Sequence, residues 1–319
     1  MDAKNELYPL VSVISVNYNQ AQITIETIES LQKVSYPNLE IIIVDNASKE
    51  DPEVIVQQCP NIKFIRSDKN LGFAGGNNLG IKEARGEYVL FLNSDTEVDK
   101  DFLQPLVNLL ENNPNIGIVS PKLVYFFSEN KNLVQYAGSN HINLFTARGS
   151  TIGFKQQDNE SFNHTIETNL PHGAAMMLPM RVIREVGLMP EIYFLYYEEH
   201  DWAHMVMRNG FKIYYCGTST VYHKESMSVG KNNPLKVFYM NRNRLIFVRR
   251  NAKPLIAVIS FLFYSFVALP VNVLKFLLKG EMKFISKIIQ AYFWNITHCK
   301  VKVNPYLNEQ NEIIYANFK

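Results

Sequence analysis

Apolar and polar positions fall in blocks along the first hundred residues. Residues 10–16 (LVSVISV) and 41–44 (IIIV) are β-branched runs. Between them Ile23, Ile25, Ile28 and Leu31 have the spacing of a helix that starts after a turn at Asn19. This pattern predicts β-α-β. A third apolar run at 62–65 precedes a Gly/Asn-rich stretch, a helix through Ala84 and a fourth strand at 88–92. Strands that alternate with helices imply an α/β fold with a mainly parallel sheet, and such sheets bind ligands beyond the carboxyl ends of their strands. The loops at those ends read NYNQ, DNASKED, RSDKNLGFAGGNN and NSDTEV, so amides and carboxylates converge on one edge.

Farther on, GAAMMLP (173–179) and a helix-like stretch at 181–187 precede the aromatic segment YFLYYEEHDW and a compact block, GFKIYYCGTSTVYHKES. The pattern then changes. Residues 254–274 contain no charge, with Arg249, Arg250 and Lys253 before them and Lys275 and Lys279 after. That length could span a bilayer, although Ser260, Ser265, Pro270 and Asn272 interrupt it. Met282, Ile285, Ile288, Ile289, Tyr292, Phe293 and Ile296 recur at helical spacing opposite Lys283 and Lys287, an amphipathic basic helix suited to an anionic membrane surface. The same apolar faces could instead pack on each other, on the rest of the chain or in an oligomer. The expected organisation is an α/β unit over 1–228 and a basic, apolar helical region over 229–319.

Composition sharpens this division. With 319 residues, 47% apolar and 19% charged, the chain can bury a large core, which excludes disorder as its main state. The net charge of +2 conceals a local excess, since 240–302 hold eleven Lys or Arg against the single acid Glu281. These cations bracket apolar helices and do not alternate with exposed aromatics, so a membrane surface is expected and a nucleic acid is not. Cys59, Cys216 and Cys299 have no CxxC spacing, which indicates neither a disulfide framework nor a zinc site and fits a reducing cytoplasm. The first ten residues, MDAKNELYPL, lack the apolar core of a secretory signal.

Three constellations could carry chemistry. Asn93, Asp95 and Glu97 follow a buried strand, where oxygen ligands could hold a hard divalent cation against a diphosphate, or simply form an Asx-turn. Glu198-Glu199-His200-Asp201 follow aromatics that could shelter a general base; they are also the acids expected at any helix N-terminus. Asp45 and Asn46 could accept from a base or ribose, or cap a helix. Gly72, Gly75 and Gly76 among Asn70, Asn77 and Asn78 predict a loop open to a ligand, yet neither a dinucleotide fingerprint nor a P-loop is present.

Taken together, VSVISVNYN, IIIVDNAS, NLGFAGGNNLGI, GEYVLFLNSDTEV, GAAMMLP and YFLYYEEHD resemble the inverting nucleotide-sugar glycosyltransferases of family 2, of GT-A fold, and among them the bacterial rhamnosyltransferase-like branch. The resemblance covers roughly residues 10–250. It implies donor-binding roles for Asn17, Tyr18, Asp45, Asn77, Asn93 and Asp95, with Asp45 against the nucleobase. It implies Asp95 and His223 as ligands of Mn²⁺ or Mg²⁺, with His172 a weaker candidate. Glu199 falls at the position of the catalytic base, one methylene longer than the usual Asp, while Gly173, Ala174, Glu198 and Asp201 would line the sugar and acceptor pocket. Arg242 and Arg244 could contact the diphosphate. Two departures stand out: Met205 occupies a usually basic position one turn before Arg208, and Pro190 replaces an Asp.

The expected function is transfer of a sugar, with rhamnose one candidate, from a dTDP- or UDP-linked donor to a hydroxyl of a lipid-linked or polysaccharide acceptor in bacterial surface glycan synthesis. The expected place is the cytoplasmic side, peripheral on the inner face of the cell membrane, with an oligomer possible. The alternative is a catalytically silent nucleotide- or glycan-binding membrane subunit.

Overall fold

The computed structural model describes residues 8–126, 132–224 and 233–298. Four parallel strands come first, β1 (Val11–Asn17), β2 (Leu39–Asp45), β3 (Lys63–Arg66) and β4 (Tyr88–Leu92). They are joined through α1 (Ala21–Leu31), α2 (Glu53–Gln58) and α3 (Gly72–Glu83) and lie in the order β3-β2-β1-β4. Crossover helices cover both faces of such a sheet, so its inner strands are mostly apolar; β4, YVLFL, is buried at every position, whereas the edge strand β3, KFIR, exposes both ends. The four strands expected from the apolar runs are these, within two residues at each end.

Beyond β4 the sheet becomes mixed. β5 (Thr96–Val98), α4 (Leu103–Asn112), β6 (Ile116–Tyr125), β7 (Val134–Tyr136), β8 (Thr165–Thr168), β9 (Ala175–Pro179), α5 (Met180–Val186), α6 (Glu198–Arg208) and β10 (Lys212–His223) follow. The strand order continues β4-β9-β6-β10-β5, with β7 beside β6 and β8 beside β10. β6 and β10 are parallel, whereas β4–β9 and β5–β10 are antiparallel. That reversal matters for the site. It sets the start of β9 beside the end of β4, Ala175 opposite Leu92, and the end of β10 beside the start of β5.

The C-terminal helices begin with α7 (Pro234–Asn251). Its proline fits the first helical turn, and the Asn233 side chain accepts the Leu235 N–H at 2.8 Å. Ile246, Phe247 and Val248 are buried in one core with Phe91 and Trp202 of the α/β unit. The boundary expected between 228 and 229 lies outside the described residues, and α7 beyond it shares the core of the sheet.

A continuous helical run, Pro254–Leu278, follows as α8 (Pro254–Phe263), a π-helical turn (Tyr264–Ala268) and α9 (Leu269–Leu278). Pro270 lacks an N–H and crowds the carbonyl four residues earlier, Phe266, inside the widened turn. Among the described residues this run is long and apolar enough to cross a membrane by length and composition, and 17% of its most apolar window is buried. In the last helix, α10 (Met282–Thr297), the apolar positions divide: Ile285 and Ile288 are buried, while Met282, Ile289, Phe293 and Ile296 are exposed.

Candidate active site

Asp95 lies in the turn between β4 and β5, 128 residues from His223, and sheet pairing closes that gap. β5 runs antiparallel to the end of β10 with Thr96 opposite His223. The Thr27 hydroxyl of α1 braces the turn, 2.8 Å from the carbonyls of both Ser94 and Thr96. His223 Nε2 thereby comes 3.2 Å from Asp95 Oδ1, with both side chains less than a tenth exposed. On its other edge, Nδ1 is 2.8 Å from Gln135 Oε1, an acceptor on β7. The Nδ1 proton is placed by that bond, so Nε2 turns its lone pair toward the carboxylate. A cation between this lone pair and the carboxylate fits the arrangement, as does an imidazole N–H turned toward Asp95. Among the described residues no group of three or more His, Cys, Asp or Glu gathers that could hold a metal, so an ion here would take its other ligands from substrate or water.

Glu198 and Glu199 open α6, where the unpaired N–H groups of the first turn favour anions. Glu198 is 3% exposed, and its Oε2 accepts no hydrogen bond. Burial, reinforced by the neighbouring Glu199 charge, holds its carboxyl well above the usual carboxylate range. The Glu199 side chain is 17% exposed, its Oε1 lies 3.4 Å from His200 Nδ1, and its Oε2 also accepts nothing. Gly173 lies against this carboxyl group, since a Cβ there would be in ordinary contact with it at 3.4 to 3.5 Å.

The backbone that delivers these glutamates is strained. Phe194, Tyr196 and Tyr197 have φ of 64°, 71° and 78°, a left-handed region that costs side-chain-bearing residues of order 1–3 kcal/mol each. Donors from two helices compensate. From α3, the Phe73 N–H donates to the Phe194 carbonyl at 2.7 Å, an approach open only to glycine at position 72, where a Cβ would sit 2.1 Å from that oxygen. Asn78 Nδ2 donates to the Met189 carbonyl and to Glu191 Oε1. From α7, Asn243 Nδ2 faces the carbonyls of Tyr193, Leu195 and Tyr196 at 3.0, 2.7 and 2.7 Å, and Arg242 Nη2 reaches those of Ile192 and Tyr193 at 2.8 and 2.7 Å.

A cavity of about 470 Å³ gathers Asp95, His223, Glu198 and Glu199, and Tyr18, Asn93, Gly173, Ala174 and His172 line it as well. Burial, with the nearby His223 and His200, lowers the His172 pKa to about 3, and its Nδ1 accepts the Ala174 N–H at 3.1 Å. Gln135 and Lys236 are lining residues that sequence patterning missed. β7 is three residues long, too short for periodicity to register, and Lys236 sits in the first turn of α7 with no motif of its own.

Several expected site residues lie elsewhere. Asn17 and Asp45 are fully buried behind the cavity; as register partners at the ends of β1 and β2 they bond to each other at 2.8 Å, and Ser48 N–H donates to Asp45 Oδ2 at 3.1 Å. Tyr18 and Asn46 face the cavity in their place. Asn77 is buried inside α3 and donates to the Phe73 carbonyl, because the expected glycine loop is a helix. Gly76 and Gly80 let it sit on β1, where a Cβ would meet Val16 at 2.9 Å and Ile14 at 2.5 Å. Asp201 is fully buried, paired with Arg250 and accepting from Asn251 Nδ2 at 2.6 Å. Arg242 and Arg244 are both buried in α7 and do not line the cavity; Arg244 lies over the Tyr264 ring. Arg208 turns to Asn251 at 2.6 Å. Among the described residues Lys236 is the one lysine or arginine lining the cavity.

A family model described as "Glycosyl transferase family 2" matches residues 12–185. A curated relative, the low-salt glycan biosynthesis hexosyltransferase Agl10 of Haloferax volcanii, is 27% identical over 74% of this chain and 74% of its own. An uncharacterised glycosyltransferase of Rickettsia felis is 40% identical over 32% of this chain, which spans only 17% of that relative. Among solved structures, the mannosyltransferase PcManGT of Pyrobaculum calidifontis, in complex with GDP-Man and Mn²⁺, aligns with a TM-score of 0.57 at 17% identity, over 91% of this chain and 87% of that one. GalNAc-T7 with UDP, GalNAc and Mn²⁺ aligns with a TM-score of 0.63 at 16% identity, over 77% of this chain and 49% of that one. At these identities the likeness is one of fold, a GT-A-like mixed α/β sheet.

The raised Glu198 carboxyl sets a pH prediction. Its folded form binds the proton more tightly than the unfolded chain does, so stability is lost as pH rises above the unfolded pKa toward the folded one. Glu198→Gln cannot ionise. Its melting temperature should therefore gain on wild type as pH increases from 5 to 8, and parallel melting curves across that range would contradict a protonated Glu198.

Proposed function

The chain belongs to glycosyl transferase family 2, and from that premise we propose that its cavity binds a nucleoside-diphosphate sugar and transfers the sugar to an acceptor hydroxyl with inversion. The observation that carries this reading is the meeting, in one cavity, of the Asp95–His223 pair with the Glu199 carboxylate. Glu199 takes the proton of the acceptor hydroxyl as its oxygen bonds to the anomeric carbon, and the bond from that carbon to the diphosphate oxygen breaks on the opposite face.

Asp95 and His223 would hold Mn²⁺ or Mg²⁺. The facing acceptors fit a hard cation whose remaining ligands are phosphate oxygens and water. When bound, such an ion offsets the charge that develops on the departing diphosphate. Lys236, at the cavity wall, replaces Arg242 and Arg244 as the diphosphate's cationic partner. Tyr18 and Asn46 face the nucleobase, while Asp45 and Asn17 hold the two strand ends that carry them. The rhamnosyltransferase-like motifs make dTDP-rhamnose the first donor to test, with UDP-sugars next, and a lipid-linked or polysaccharide hydroxyl the acceptor class.

Leu255, Val258, Leu262 and Phe266 form an exposed apolar stripe along α8 and the π turn, with Phe266 76% exposed. The Lys and Arg residues that flank this run would meet anionic headgroups. We assign this stripe to the surface of the cell membrane, on its inner face, where the chain would reach a lipid-linked acceptor.

Glu199→Gln should abolish transfer while leaving donor affinity within about threefold of wild type, a loss confined to the chemical step; unchanged turnover would remove Glu199 from the mechanism and favour a silent binding subunit. Leu262→Glu with Phe266→Glu should release the protein from phosphatidylglycerol vesicles in flotation without changing its nucleotide affinity. Persistent flotation of the double variant would contradict membrane docking through α8.

A further inference from the structure

Building on the transferase reading, we infer that Asn243 and Arg242 of α7 are positioning residues that aim Glu198 and Glu199 into the cavity, and that α10 locks them in place. Neither residue lines the cavity, and both are buried. What they hold is the main chain of 192–196, immediately ahead of α6. Tyr197 is the residue on which α6 starts, with φ 78°. The direction of the first helical turn, and of both glutamates, therefore follows from the backbone these donors fix.

The amide of Asn243 has a defined orientation. Its Oδ1 accepts from Arg242 Nε at 2.8 Å, which leaves Nδ2 to sit at the centre of a curl of three carbonyls. An amide nitrogen carries two protons for these three acceptors, so the curl keeps its shape only while Nδ2 stays central. Arg242 is restrained in turn. Its guanidinium lies 4.8 Å from the Tyr239 ring centre and 4.9 Å from that of Trp294, and a planar fork that stacks and donates at once is a geometry lysine cannot reproduce. A buried cation satisfied by main-chain carbonyls is costly to place, and its acceptors here are those that set the path into α6.

The restraint continues into α10, which contributes Trp294. The next residue, Asn295, is 4% exposed, donates from Nδ2 to the Arg242 carbonyl at 3.1 Å and accepts from Arg249 Nη2 at 3.0 Å. The helix whose other side exposes Ile289, Phe293 and Ile296 thus bears on the segment that carries the glutamates through two side-chain layers. Ordinary core packing would make no distinction between donor binding and turnover, whereas a positioning pair does.

The test uses the whole 319-residue chain. In Asn243→Ala, amide hydrogen exchange across 193–199 should rise about tenfold while β4 and β6 keep their protection. Donor affinity should stay within about threefold of wild type and turnover should fall about a hundredfold, the scale expected when a reacting group is displaced by about an ångström. If Asn243→Ala does not fold, Arg242→Lys takes its place and should show the same split at smaller size. Trp294→Leu should also loosen 193–199. The proposal is overturned if exchange at 193–199 is unchanged in these folded variants, or if turnover and donor affinity fall together with stability lost evenly across the domain. The exchange measurement needs no substrate. Wild type that turns over no sugar nucleotide would contradict the transferase reading, while unchanged exchange would contradict the clamp.

Discussion

Glu198 and Glu199 face the cavity because a backbone conformation that phenylalanine and tyrosine disfavour is held from both sides by donors matched to its carbonyls. Phe73 N–H acts from α3, and Asn243 and Arg242 act from α7. Without them three left-handed residues would relax, and α6 would start elsewhere. Other features of the fold follow from this need. Position 72 must be glycine to admit the Phe194 carbonyl, and α7 must be anchored, through Ile246, Phe247 and Val248, in the core it shares with Phe91 and Trp202.

The remaining half of the site depends on sheet pairing. The parallel strands alone would carry ligand loops after β1, β2 and β4, but no partner for Asp95. The antiparallel return of β10 against β5 supplies His223 at 3.2 Å, and the antiparallel β9 beside β4 brings Gly173 and Ala174 to the same edge. Gln135 then orients the imidazole. The Asp95–His223 pair and the Glu199 carboxyl thus share one cavity because a parallel sheet passes into a mixed one.

Much of this was legible in the sequence where burial dictates residue type. The first four strands show as apolar runs, β-branched in β1 and β2, because helices cover both sheet faces, and Asp95, Glu199 and His223 were marked by motif and order. The misreadings have physical causes. Gly72, Gly75 and Gly76 read as a loop because glycine usually punctuates helices, yet Gly76, with Gly80, is a small residue that brings α3 onto β1. Arg242 and Arg244 read as phosphate ligands because buried arginine is rare; the aromatic rings and main-chain carbonyls that receive them come from distant segments. Asp45 and Asn17 read as ligand contacts, but as register partners they satisfy each other. Sequence spacing shows which residues share a sheet edge, and only packing shows which of them face outward.

The Asp95–His223 pair and its cavity are proposed as a metal-assisted nucleoside-diphosphate sugar site. It is tested most directly by the melting temperature of wild type and Asp95→Ala with dTDP, UDP and their sugar conjugates, in Mn²⁺ or Mg²⁺ and in chelator, since a ligand that binds the native state raises its melting point. The expected shift favours one nucleotide, needs the divalent ion and disappears in Asp95→Ala. A nucleotide shift of equal size in chelator, or in the Asp95→Ala protein, would contradict it.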